Sequence, residues 1–150
     1  MEFIELLRQG LIKLNQNGMG DRSTYVGSSD VAGCPRKAVL SKTEPGDVEF
    51  ATLIRFARGL LAEQLILVAI KDSSYKWEYQ KEVAHRERPF KAHIDFVFKG
   101  SNALMVMEVK TVSGIPSSPY ESWIEQIHYQ MGLLQEENPK KKVRGCVLAL

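Results

Sequence analysis

Three charged side chains interrupt two neighbouring apolar segments in the middle of the chain. Asp95 stands within HIDFVF, and Glu108 and Lys110 stand at the end of ALMVMEVK. Glu108 and Lys110 are two residues apart, so in a strand their side chains share one face. A short turn at residues 100–102 joins the two segments as a hairpin and brings Asp95 toward that face. We therefore expect two carboxylates and one ammonium group to converge at one edge of a sheet.

These groups suit one kind of chemistry. Carboxylate oxygens are hard ligands that bind Mg²⁺ or Mn²⁺. Such a cation polarises a phosphoryl oxygen and lowers the pKa of a bound water. The ammonium group of Lys110 can orient that water or stabilise the charge that develops on the phosphate. Hydrolysis of phosphodiester bonds needs little else, and the residues predict a Mg²⁺- or Mn²⁺-dependent nuclease with Asp95, Glu108 and Lys110 as catalytic residues.

The same residues have a simpler interpretation. Glu108 and Lys110 could form an ion pair on the surface of a small structural or interaction domain. However, every residue of ALMVMEVK before Glu108 is apolar, so both faces of this strand are apolar, which is typical of a central strand. A charged side chain in a central strand is costly to bury unless it is paired or has a function. Asp95 likewise is a single charge within an apolar segment. This context favours the metal site.

The remaining pattern predicts the elements that position these residues. Helices are expected over 2–15, 50–71 and 119–136, and strands over 76–84, 91–98, 103–110 and 143–150. A loop is expected at 18–24, followed by a short helix that Ser28 or Ser29 caps. Pro35 is expected to mark a break or a new first helical turn, and Pro45-Gly46 to form a turn of the chain. Pro119 is expected to start the last helix. Because that helix connects two strands, the fold class is α/β, with a central mixed β-sheet flanked by helices.

The order of motifs resembles the PD-(D/E)XK nuclease superfamily, in its RecB and phage λ exonuclease-like branch, which is related to CRISPR-adaptation exonucleases. Asp95 followed by Glu108-Val109-Lys110 resembles its signature, and Gln126 with Tyr129 resembles the motif of its following helix. Upstream, RFARGLLAEQLI resembles the first core helix, and GSSDVAGCPRKAVL the N-terminal segment. The resemblance spans about residues 25–150.

This resemblance implies a restriction-endonuclease-like core and further site residues. Glu63 and the backbone carbonyl of Val109 would join Asp95 and Glu108 as metal ligands, and Gln126 would assist catalysis by bonding the carboxylates or a phosphate. DNA is the expected partner. The candidate DNA-contacting residues are Ser28, Ser29, Arg36, Lys37, Arg58 and Tyr129. The basic residues 140–142 are a further candidate for the DNA backbone.

The cysteines bear on a second cofactor. Some RecB-like nucleases hold an iron–sulfur cluster through one Cys in the N-terminal segment and three after the last strand. Cys34 matches the first, the other three are missing, and Cys146 falls within the last predicted strand. We therefore expect no iron–sulfur cluster in this chain and interpret Cys146 as a core residue.

The 150 residues fit a single nuclease domain over 1–150. The chain ends in VRGCVLAL, a pattern that predicts a buried strand, so a C-terminally truncated version of a longer domain is our expectation. Neither a membrane-spanning run nor a signal peptide is recognisable, which predicts a cytoplasmic protein. The net charge of +2 neither requires nor excludes DNA, and a homo-oligomer is compatible with the sequence.

The expected activity is exonuclease action on DNA in repair, recombination, phage or CRISPR-related processing. The alternative is a non-catalytic DNA-binding module on a nuclease-like scaffold.

Overall fold

The charged residues of the two apolar segments lie on the two central strands of one sheet. The computed structural model describes residues 3–16, 21–44 and 46–150. The strands are β1 (Lys76–Ala84), β2 (Lys91–Lys99), β3 (Ala103–Lys110) and β4 (Lys142–Ala149), in that spatial order. β1, β2 and β3 are antiparallel neighbours, whereas β4 runs parallel to β3. The predicted mixed sheet is confirmed, and each predicted strand agrees with the structure to within one residue at either end.

The helices are α1 (Phe3–Gln16), α2 (Ser28–Val31), α3 (Pro35–Thr43), α4 (Phe50–Ile70) and α5 (Glu121–Glu137), with a 3₁₀ turn at Arg22–Thr24. Pro35 begins α3, where its fixed φ suits a first turn. Parts of the predicted loop at 18–24 and of the Pro45-Gly46 turn lie outside the described residues.

Two predicted helix starts are wrong. Neither Ser28 nor Ser29 caps α2: Gly27 is its N-cap residue, and the Asp30 carboxylate accepts a hydrogen bond from the Gly27 N–H at 2.8 Å. Ser28 is therefore already the first helical residue. The last helix does not start at Pro119 but at Glu121, because Tyr120 keeps an extended backbone and serves as the N-cap. Shifts of one or two residues at helix ends are common, since the pattern of apolar residues does not fix the cap.

The core lies between the sheet and α5. Its fully enclosed side chains include Ile94, Val97 and Val106 of the sheet and Leu134 of α5. Apolar residues three to four positions apart along α5 give it the stripe that packs against the strands.

β4 differs from its prediction as a buried strand. It is an edge strand, and its residues are exposed or half-buried. Cys146 is exposed, so its interpretation as a core residue is wrong. The physical reason is position: an edge strand covered by one helix buries only one face. Within the described residues, no helix combines the length and apolar character needed to cross a membrane.

Candidate active site

The pairing of β2 is interrupted at Asp95 on both sides. Pairing of β1 with β2 runs through Tyr79↔Phe96 and resumes at Lys81↔Ile94, which leaves Gln80 and Asp95 out of the ladder. On the other side, the register of β2 with β3 reaches only Phe96↔Met107. The sheet therefore opens around Asp95, between its two central strands. The expectation that the charged groups meet at an edge of the sheet is therefore wrong, because they meet between its two central strands.

Glu108 is the most enclosed carboxylate of the group, with 4% of its surface exposed. Its Oε1 accepts hydrogen bonds from Lys110 Nζ at 2.7 Å and from Gln126 Nε2 at 2.6 Å. Its Oε2 accepts one from Gln130 Nε2 at 2.6 Å. Charged and amide donors thus offset the cost of burying the carboxylate and fix its direction.

Lys110 and Gln126 are joined as well. Lys110 Nζ donates to Gln126 Oε1 at 2.7 Å, so the amide of Gln126 accepts from the lysine and donates to Glu108. The predicted shared face of Glu108 and Lys110 is confirmed by their direct contact. Gln126, placed at the site only by resemblance, touches both residues.

Asp95 is held by the backbone of the next strand. Its Oδ2 accepts the Val109 N–H at 2.8 Å, so β3 binds the side chain of Asp95 where the ladder has ended. Burial, and then the negative charges of Glu108 and Glu63, raise the pKa of Asp95 to about 8. Three carboxylates therefore share a region that has too little positive charge to keep all of them ionised at low cost.

Glu63 approaches this region from α4. Its Oε2 accepts a hydrogen bond from Gln80 Nε2 at 2.6 Å, and the same nitrogen lies 3.5 Å from Asp95 Oδ1. Burial raises the pKa of Glu63, and the negative charge of Glu108 adds to the effect. Burial, followed by the charge of Glu63, raises the pKa of Tyr79 to about 12, so this phenol stays protonated beside the site.

The donor set fits a Mg²⁺- or Mn²⁺-type cation bound with water, not a closed protein cage. Among the described residues, no three His, Cys, Asp or Glu side chains are close enough together to enclose an ion as they stand. Mg²⁺ commonly uses one or two carboxylates and completes its coordination with waters and substrate phosphates. Asp95 and Glu108 would serve as those ligands, with Glu63 at their side. Burial, and then the negative charges of Glu108 and Glu63, raise the pKa of Asp95, and a bound cation would offset that negative charge.

Two residues of the site were not recognised in the sequence. Gln80 has no pattern that marks it. Gln130 could have been found, because it follows Gln126 by four residues and so lies on the same face of α5. Tyr129, which was predicted with Gln126 from the helix motif, donates its hydroxyl to the Val26 carbonyl at 2.7 Å, and its ring packs near Phe90.

Apart from Tyr129, the candidate DNA-contacting residues lie on α2, α3 and α4. Arg36 and Lys37 are exposed on the first turn of α3 and line a shallow depression, and Arg58 is exposed on α4. Ser28 is buried, whereas the hydroxyl of the exposed Ser29 accepts a hydrogen bond from Arg22 at 2.8 Å. Their contact with DNA stays a prediction.

Comparison with known proteins places the fold. No family model matches the chain, and no curated protein matches it. The crystal structure of SSO0001 is similar with a TM-score of 0.69 and 13% identity, over 99% of this chain and 73% of that one. An alkaline exonuclease (LHK-Exo) from Laribacter hongkongensis is similar with a TM-score of 0.52 and 14% identity, over 85% of this chain and 71% of that one. At such identities the likeness shows the fold, and the predicted restriction-endonuclease-like core is confirmed. Membership of the RecB and λ exonuclease-like branch stays a prediction.

Proposed function

We propose that this chain is a nuclease that hydrolyses phosphodiester bonds of DNA with Mg²⁺ or Mn²⁺, and that it acts as an exonuclease. The observation that carries the proposal is the set of side chains gathered where the sheet opens. Asp95 and Glu108 lie on the two central strands, and Lys110 and Gln126 are bonded to Glu108. The fold shared with an alkaline exonuclease supports the same assignment.

Each residue has a distinct role in the proposed reaction. Asp95 and Glu108 would hold the cation, which supplies Lewis acidity and a more acidic bound water. The Lys110 ammonium group would orient the attacking water and stabilise negative charge on the phosphate in the transition state. Gln126 holds Lys110 and Glu108 in a fixed relation through its two contacts. The Val109 N–H fixes the Asp95 carboxylate from the backbone.

The Val109 carbonyl and Glu63 complete the proposed ligand set. Val109 lies between Glu108 and Lys110 on β3, and Glu63 influences the charge of Asp95 from α4. The proposed DNA contacts are made by the exposed residues Ser29, Arg36, Lys37 and Arg58, which would hold the strand.

End-labelled and internally labelled linear DNA would test the proposal. We expect release of nucleotides or short products from the ends with Mn²⁺ or Mg²⁺, loss of cleavage with a chelator, and loss of cleavage in Glu108→Gln. Circular DNA should persist under the same conditions if the action is from the ends. Absence of cleavage of every linear substrate with either cation would contradict the proposal.

One observation favours the alternative of a non-catalytic DNA-binding module. Both oxygens of Glu108 accept hydrogen bonds from the chain itself, Oε1 from Lys110 and Gln126 and Oε2 from Gln130, so a cation must share an oxygen with one of these donors or displace it. DNA binding that is tight, independent of Mn²⁺ and unaccompanied by cleavage would establish this alternative.

A further inference from the structure

One residue of β1 departs from strand geometry beside the candidate active site. Gln80 has a φ of 49° and is the non-glycine residue with positive φ among those that the structure describes. A side chain disfavours this left-handed conformation, and a glutamine has no local hydrogen bond that favours it as asparagine does. Such conformations persist where the surrounding structure imposes them and concentrate at functional sites.

The conformation has a visible consequence. Gln80 leaves the ladder at the position opposite Asp95, while its neighbours on both sides remain paired with β2. Its amide nitrogen lies 2.6 Å from Glu63 Oε2 and 3.5 Å from Asp95 Oδ1. One neutral donor thus connects a helix carboxylate with a strand carboxylate whose charges repel each other.

We infer that Gln80 is a positioning residue for the cation site: its amide holds Glu63 toward Asp95, so that both carboxylates serve one cation. The inference rests on the proposed function, since it assigns a role to Gln80 within that same site. A carboxylate can bind a cation through one oxygen while its other oxygen accepts a hydrogen bond. Partners of this kind fix the direction of a ligand, and their loss weakens cation binding about 10- to 100-fold.

Two substitutions separate the amide from the backbone. Gln80→Met keeps the length of the side chain and the disfavoured φ but removes the donor. Gln80→Gly removes the donor and relieves the backbone. Both variants should bind Mn²⁺ about 10-fold or more weakly in calorimetric titration. A residue with a merely structural role in the turn would give a different result, because Gly should then leave affinity unchanged and keep or raise the melting temperature.

Gln64 provides a matched control. It is also a glutamine, it neighbours Glu63 on α4, and its amide lies 3.4 Å from the Tyr79 hydroxyl. Gln64→Met should bind Mn²⁺ as the wild type does.

A double-variant cycle tests whether Gln80 acts through Glu63. If it does, Gln80→Met should weaken Mn²⁺ binding in the wild-type background and have little further effect beside Glu63→Ala. Equal losses in the two backgrounds, or unchanged affinity in both Gln80 variants, would overturn the inference while leaving the proposed function intact. A wild-type chain that binds no Mn²⁺ or Mg²⁺ would overturn both.

Discussion

Lys110 supplies the positive charge that contacts the Glu108 carboxylate of the candidate site. Its ammonium group lies within hydrogen-bonding distance of both Glu108 and Gln126. We expect Lys110→Ala to lower the rate of cleavage on the order of a hundredfold or more, because charge on the phosphate loses its stabilising partner. Glu108 keeps its bonds from Gln126 and Gln130, so the variant should fold. Single-turnover cleavage of a labelled duplex measures the loss.

Lys99 serves as the control for this substitution. It pairs with Glu78 at the far end of β2, where both side chains are more than a third exposed. Lys99→Ala should cleave as fast as wild type. Wild-type turnover in Lys110→Ala would remove the proposed catalytic role.

Asp95 should make stability depend on pH in the absence of a cation. Its pKa in the folded chain, about 8, lies above the ordinary value of 3.8, so the folded state prefers the protonated carboxyl. Its contribution to stability is therefore complete below the ordinary pKa and is lost as pH rises through 8. With a chelator present at pH 9, Asp95→Asn should have a free energy of unfolding at least about 1 kcal/mol higher than that of wild type. Its melting temperature should then be higher by roughly 2–4 °C.

The same variant should lose the stabilisation that a cation gives. Mn²⁺ raises the melting temperature of a protein that binds it in the folded state, and the Asp95→Asn substitution would remove one ligand charge. Thermal unfolding with and without Mn²⁺ measures both effects, with Asp72→Asn in the exposed turn after α4 as control. An equal shift by Mn²⁺ in wild type and Asp95→Asn would exclude Asp95 as a ligand.

At the scale of elements, the packing of α5 on β4 depends on one glycine. A Cβ atom added to Gly145 would lie 2.6 Å from Met131 Sδ and 2.8 Å from two carbons of Ile127. Gly145→Ala should therefore push α5 away from the sheet and cost about 1–3 kcal/mol of the free energy of unfolding. Because α5 carries Gln126 and Gln130, cleavage should fall as well. Urea unfolding together with a cleavage assay measures the two losses.

Gly132 gives a control within the same helix. A Cβ atom there meets nothing within 4 Å, and alanine is the better helix former by about 0.5–1 kcal/mol. Gly132→Ala should leave activity unchanged and keep or raise stability. If both glycine variants lost stability and cleavage to the same extent, close packing of α5 on β4 would not explain the losses in Gly145→Ala.

The strands were predictable because apolar residues and turns define them. β1 and β3 begin and end at the predicted residues, and Asp95, Glu108 and Lys110 stood out as charges within apolar runs. Gln80 could not be found in this way, because glutamine gives no sign of a positive φ and its conformation depends on contacts between β1, β2 and α4. The exposure of Cys146 likewise depends on β4 being an edge strand, which local sequence does not encode.

At the scale of the whole molecule, the charge pattern must bring DNA to a site that is itself negative. The net charge of the chain is only +2, so positive groups must be placed locally if carboxylates are to admit a phosphate backbone. The register of the sheet separates two candidate groups. Residues 140–142 adjoin Ala103, since Lys142 pairs with it. Glu108 lies five residues further along β3, about 16 Å away at roughly 3.3 Å per residue.

The exposed basic residues of α3 and α4 are therefore the better candidates for contact with DNA. Arg58 precedes Glu63 on α4 by little more than one turn, and Arg36 is exposed at the start of α3. We expect Arg36→Ala and Arg58→Ala each to weaken binding of any DNA sequence and to flatten the dependence of log affinity on log salt by about one unit. The rate of cleavage of bound DNA should change little. Lys140→Ala, in the turn that precedes β4 and adjoins the start of β3, is the matched control and should leave the slope unchanged. Affinity for one oligonucleotide, measured across a range of salt concentrations, decides between the two surfaces: a slope that changes in Lys140→Ala and not in the arginine variants would place DNA along residues 140–142.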